Sequence, residues 1–133
     1  MTGPGTVEGN KDVVRRFIKE VLDAGELDRM DDLLAPDYVN RAFDTDLTTF
    51  KGMIAALVAA LPDRRYDIEE LVAEGDAVVA RFAGEMSDGA GTQISLRGLT
   101  YYRLADGKIV EDDPFSTPDL AEQIGALVAP ASA

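Results

Sequence analysis

Thr92-Gln93-Ile94-Ser95-Leu96-Arg97-Gly98-Leu99-Thr100-Tyr101-Tyr102-Arg103-Leu104, then Ala105-Asp106-Gly107-Lys108, then Ile109-Val110-Glu111-Asp112-Asp113: this run decides the fold. Two arms of strand-forming residues flank Asp-Gly, the pair favoured in a type I′ turn because both central residues need positive φ. The first arm is long, and the second ends in three consecutive acids. The stretch predicts a hairpin that walls a small-molecule cavity, with the acids at its working end.

Before the hairpin the period is also two. Residues 66–73 and 77–86 read as strands joined by the tight turn Glu74-Gly75-Asp76, and 87–91 is a glycine-rich turn. In the second strand Val78, Ala80, Phe82, Gly84 and Met86 share one face, which should look inward, while Arg81 and Glu85 share the other. Arg81 and Arg97 are expected outside, pairing with the acidic surface or another subunit.

Earlier still, spacings of three and four take over. Val13, Val14, Phe17, Ile18, Val21 and Leu22 form the stripe of a first helix, capped by Asn10 and stopped at Gly25. Arg16 with Glu20 and Lys19 with Asp23 pair one turn apart on its other side. A short helix over 28–34, closed by Pro36, leads to a short strand at 37–41. A third helix spans 47–61, capped by Asp46 or Thr48, with Phe50, Met53, Ile54, Leu57, Val58 and Leu61 inward. Pro118 suits the first position of a C-terminal helix running to about residue 128. Residues 1–9 read as a disordered lead-in, 10–129 as one domain and 130–133 as a tail. Helices followed by long antiparallel strands predict an α+β fold. A curved antiparallel sheet would wrap around the N-terminal helices, forming a cone with an internal cavity.

Composition narrows the chemistry. The 133 residues carry 13 Lys and Arg against 25 Asp and Glu, for a net charge of −12 and a pI of about 4.2. Such a surface repels phosphate backbones and anionic lipid, so neither nucleic acid nor a membrane is expected as a partner. No apolar run approaches the ~20 residues of a membrane span. Residues 1–9 lack the apolar core of a signal peptide, and a cytoplasmic location is the expectation. The chain has no Cys and no His. That excludes disulfides, thiol nucleophiles, the usual zinc sites and every Ser–His or Cys–His mechanism. Acid–base work falls to Asp, Glu, Tyr, Lys or an oriented water.

From end to end, the chain resembles the SnoaL-like polyketide cyclases, within the cone superfamily named for nuclear transport factor two. The residues that carry the resemblance are Asn10 with Val13-Val14-Arg15-Arg16-Phe17, then Leu33-Leu34-Ala35-Pro36-Asp37-Tyr38-Val39 and Leu61-Pro62-Asp63. Leu71-Val72-Ala73-Glu74-Gly75-Asp76 comes next, then Tyr102-Arg103-Leu104-Ala105-Asp106-Gly107-Lys108-Ile109-Val110-Glu111. The resemblance implies an apolar cavity for a hydrophobic small molecule, a homodimer, and chemistry without a metal or other cofactor. Family enzymes include aldol-type cyclases; the wider superfamily includes isomerases, dehydratases and epoxide hydrolases, so fold alone does not fix the reaction. Two departures stand out. Where the family often has His-Trp after the position of Glu111, this chain has Asp112-Asp113-Pro114. The loop between the middle strands is cut to Ser87-Asp88-Gly89-Ala90-Gly91, which should leave the cavity mouth more open.

Asp112 is the first candidate for catalysis. It shares a strand face with Val110 and Pro114; if that face looks inward, desolvation raises its pKa and makes it a proton carrier near neutrality. Asp113 is the second candidate, needing a bulge before Pro114 to turn inward. Tyr38 and Asn40 form a Tyr-x-Asn pair like the water-positioning pair of limonene epoxide hydrolase. That enzyme's Arg-x-Asp would fall on Phe82 and Gly84, so its full set is missing. Thr100 and Tyr102 offer hydroxyls to a substrate carbonyl. Phe17, Phe50, Met53, Leu57, Phe82 and Met86 are read as core or cavity lining. A solvated acidic strand end and a passive ligand-binding cone are the competing readings.

Overall fold

The computed structural model describes residues 5–118. The first four residues, the tail, and all but the first residue of the helix expected from Pro118 lie outside the described residues.

Thr6, not Asn10, caps the first helix. Its side chain accepts from the Gly9 amide at 2.9 Å, so α1 (Val7–Arg16) begins inside the expected lead-in, and Asn10 is buried within it. The helix continues as a π-helical segment, Phe17–Asp23, and Gly25 ends it at φ +77°. The wider turn puts Phe17, Ile18 and Val21 in the core. Arg16–Glu20 and Lys19–Asp23 pair on the surface as expected, at 2.8 and 2.7 Å. A 3₁₀ turn, Leu27–Arg29, precedes the single-turn α2 (Met30–Leu33). Pro36 does not close that helix; it lies within β1 (Leu34–Asn40), which begins three residues earlier than expected. A two-residue β2 (Thr45–Asp46) leads into α3 (Leu47–Ala60), where Asp46 caps the Thr49 amide at 2.9 Å.

Four long strands complete the sheet: β3 (Asp63–Glu74), β4 (Ala77–Ser87), β5 (Gln93–Ala105) and β6 (Lys108–Thr117). On β4 the alternation holds throughout: Val78, Ala80, Phe82, Gly84 and Met86 are buried, Arg81 and Glu85 exposed. Asp106 and Gly107 take φ +52° and +77°, the geometry that the Asp-Gly turn demands. The six-stranded sheet runs β2-β1-β6-β5-β4-β3. It is mixed rather than purely antiparallel, because β1 pairs with β6 in parallel. The sheet is curved and unclosed, with the helices against it, and the fold is α+β.

One irregularity of register falls on β6. Leu104 pairs with Ile109 but Arg103 pairs with Glu111, leaving Val110 as an extra residue. Ile109 and Val110 are accordingly both buried. Arg64, near the start of β3, reaches the ends of two helices. Its guanidinium donates to the carbonyls of Leu22 (2.9 Å) and Asp23 (3.1 Å) on one side and of Leu61 (2.8 Å) on the other.

Candidate functional site

The parallel pairing of β1 with β6 sets Asn40 opposite Asp112, and the antiparallel pairing of β5 with β6 sets Tyr102 opposite it on the other side. Asp112 is therefore flanked by polar side chains from both neighbouring strands. It is 5% exposed. The Tyr38 hydroxyl donates to Asp112 Oδ2 at 2.8 Å, and Asn40 Nδ2 donates to Tyr38 Oη at 3.1 Å. Asn40 Oδ1 accepts from the amides of Ala42 (3.0 Å) and Phe43 (3.2 Å). Backbone N–H groups can only donate, so the amide oxygen must face them and the NH₂ must face Tyr38. The chain of bonds thus has one direction: Asn40 to Tyr38 to Asp112.

Burial dominates the electrostatics. Desolvation, helped by the nearby Asp113, pushes the Asp112 carboxyl up to about 7 against the lowering effect of the Tyr38 bond. Burial and the charge on Asp112 push Tyr38 well above the ordinary phenol value, opposed by its bond from Asn40. Tyr102 moves the same way from burial and then Asp112, with a hydrogen bond from Thr100 working against it. Both phenols therefore stay protonated, and Tyr38 donates to Asp112.

These groups meet a cavity lined by π-helical Phe17, Ile18 and Leu22, by Phe50, Ile54 and Leu57 from α3, and by the inner face of the sheet. The sheet contributes Asn40, Tyr66, Phe82, Thr100, Tyr102, Asp112 and Pro114, and the loop after β1 contributes Phe43. Among the described residues no Lys or Arg lines it. The room for water-sized occupants is about 40 Å³, inside an empty envelope of about 520 Å³ that includes the open mouth. Phe17 meets Tyr102 edge-on at 6.2 Å, and Phe50 meets Tyr38 at 4.9 Å.

Of the residues singled out from sequence, Asp112, Asn40, Thr100, Tyr102, Phe17, Phe50, Leu57 and Phe82 line this cavity. Tyr38 is buried behind it and reaches it through Asp112. Asp113 falls on the other face of β6, opposite Tyr101 and half-buried, because the extra residue lies at Val110 and not before Pro114. Met53 is half-buried and Met86 is buried, but neither is among the lining residues; Met86 accepts from the Tyr66 hydroxyl instead. Sequence reasoning placed Pro114 on the face of Asp112 without naming it as lining, and missed Tyr66 and Phe43. Tyr66 sits on a face that alternation could have found, whereas Phe43 is an apolar residue in a loop, with no periodicity to mark it. Among the described residues no group of three or more His, Cys, Asp or Glu is placed so that it could hold a metal ion, and no helix is long and apolar enough to cross a membrane.

No curated protein matches the chain in sequence. Solved structures do match. A protein from Jannaschia sp. CCS1 named as a SnoaL-like polyketide cyclase is 21% identical with a TM-score of 0.76, covering 98% of this chain and 99% of its own. One from Acidithiobacillus ferrooxidans named as a polyketide cyclase is 23% identical with a TM-score of 0.73, over 90% and 96%. A limonene-epoxide-hydrolase-like enzyme of Mycobacterium tuberculosis is 15% identical with a TM-score of 0.73, over 92% and 93%. At these identities the likeness speaks for the fold alone. The sequence itself goes further: residues 14–112, from the first core valine to the buried acid, match the SnoaL-like domain, and the chain belongs to that family.

Proposed function

We propose that the protein is a cofactor-independent acid–base enzyme of the cyclase or isomerase type, acting on a hydrophobic, polyketide-like small molecule. The observation that carries this reading is a carboxyl group shielded from water in an apolar cavity, with a pKa of about 7. Such a group exists in both forms at neutral pH, which general acid–base catalysis requires. As carboxylate, Asp112 takes a proton from the carbon beside a substrate carbonyl. The electron pair of that C–H bond moves to the carbonyl oxygen, and the enolate so formed is held by hydroxyl donors such as Tyr102 and Thr100. Returning the proton to another atom completes an isomerisation; attack of the enolate carbon on a second carbonyl closes a ring.

The test is exchange of α-hydrogens of 2-tetralone for deuterium in D₂O, monitored by NMR. With the ketone saturating, the expected result is exchange well above buffer, rising with pH to a plateau past about 7, as the titration of Asp112 requires. Exchange no faster than buffer at every pH would leave a passive binding cone. A second reading, opening of an epoxide by activated water, draws support from the Tyr38–Asn40–Asp112 cluster. What counts against it is that Asp112 is the one carboxyl among the described lining residues, so the same group would have to activate the water and protonate the leaving oxygen.

We also propose that the chain pairs with a second copy through the outer face of the sheet. Val72, Val79 and Tyr101 are in register across β3, β4 and β5, and the adjoining row brings Leu99 beside Phe115. Phe115 is 64% exposed and Val72 58%. Around them Arg81 and Arg97 pair with Glu69, and Arg103 with Glu111. This apolar centre with a rim of both signs suits a copy of itself, in a molecule whose net charge of −12 would otherwise repel one. Phe115→Glu is expected to turn a dimer into a monomer in light scattering. An unchanged mass would reject this interface.

A further inference from the structure

The cavity raises a problem of entry. Pockets that take drug-sized ligands run to ~300 Å³ or more, and the interior here has room for little beyond a few waters. Some lining residue must move. Every described lining residue but one stands on a helix or a strand; the exception is Phe43, in the loop 41–44, where Asp44 holds φ +52°. Phe43 is the cheapest wall to displace.

What holds that loop is the same chain of bonds that ends on the acid. Two sets of bonds hold its backbone: the Arg41 amide donates to the Asp112 backbone carbonyl at 2.8 Å, and the Asn40 side chain accepts from the Ala42 and Phe43 amides. The first is blind to the charge on Asp112. The second is not, because the other end of the Asn40 amide donates to Tyr38, whose proton goes to Asp112. A carboxylate draws the Tyr38 proton strongly, which makes Tyr38 Oη a better acceptor for Asn40 and locks the amide in place. A neutral carboxyl draws it weakly and can itself donate, so the chain slackens.

We propose that Asn40 is a positioning residue that couples the Asp112 carboxyl to the Phe43 loop: a charged Asp112 holds Phe43 over the cavity, and a neutral one releases it. The site would then admit ligand with the acid protonated and close as the acid ionises. The titratable groups around Asp112 are Tyr38 from β1, Tyr102 from β5, Tyr66 from β3 on the same cavity and, next in sequence on the outer face, Asp113; the helices meet the cavity with Phe17 and Phe50. Glu111 lies on the outer face between Arg41 and Arg103, at 3.3 Å from each. The coupling requires only that Asp112 change charge, so it stands or falls separately from any activity on ketones.

The chain has no Trp, so Phe43→Trp provides a single reporter at the mouth. Its emission should shift to longer wavelength as pH falls from 9 to 5, with the midpoint of the Asp112 carboxyl measured by ¹³C NMR. Adding Asn40→Ala or Asp112→Asn should abolish the shift and leave the released spectrum at every pH. In the unaltered chain, protection of the Ala42 and Phe43 amides from exchange should fall about tenfold over the same range, a coupling of ordinary size. A shift that persists with Asn40→Ala would overturn the proposal. So would emission and amide protection that stay flat while the Asp112 carboxyl titrates.

Discussion

Asp112→Asn is expected to lower the rate of α-hydrogen exchange by about 10²–10⁴-fold while making the protein more stable above neutral pH. The two effects have one cause. In the unfolded chain Asp112 titrates near the ordinary Asp value of about 3.9, and in the folded chain at about 7. Below both values it is neutral in each state and burial carries no charge penalty. Between them the folded state holds a proton that the unfolded state has released, so stability falls as pH rises. Above about 7 the group is charged in both states and the whole penalty is present, on the order of 4 kcal/mol. An amide has the same shape, accepts from Tyr38 and never ionises. The stability difference between variant and parent should therefore be small near pH 4 and grow to a plateau above pH 7. Urea unfolding at both pH values measures it directly. A difference that does not change with pH would mean that the carboxylate is solvated in the folded state, and the case for an acid–base site would lapse.

Arg64→Met is expected to cost on the order of 3 kcal/mol, or about 10 °C in Tm. The last carbonyls of a helix have no partner within it. Arg64 supplies donors to those of the π-helical segment, through Leu22 and Asp23, and to Leu61 just past α3. Met keeps the apolar stem and removes every donor, so it reports on the bonds rather than on packing. Lys should restore little, since a point charge cannot serve two helix ends as a planar fork does. The same two helices carry Phe17, Ile18, Leu22, Phe50, Ile54 and Leu57 to the cavity, so the variant should also bind an apolar dye more readily. A Tm within about 2 °C of the parent would show that water replaces the guanidinium without loss.

Much of this architecture is legible in the sequence because its determinants are local. The Asp106-Gly107 turn, the alternation on β4 and the cap of α3 each need only a few adjacent residues. The inward face of β6 can be read from Asp112 and Pro114, since both lie beyond the extra residue and keep their parity. What stays hidden depends on distant contacts. Nothing near Leu34 announces a parallel pairing with Ile109, so local signals carry the helix through Leu34 and start the strand only at Asp37. Thr6 as a cap is masked by the glycines around it. Tyr38 and Asp112 stand 74 residues apart, and their bond forms only once β1 lies beside β6.

The bulge at Val110 has a consequence for comparing this chain with its relatives. One additional residue reverses which of two neighbouring acids enters the interior. A relative built without that insertion would seat its acid one step away in the numbering, although the two carboxyls would occupy the same point in space. Counting along the chain from the Asp-Gly turn would then match that relative's acid with Glu111, whereas superposing the strands would match it with Asp112.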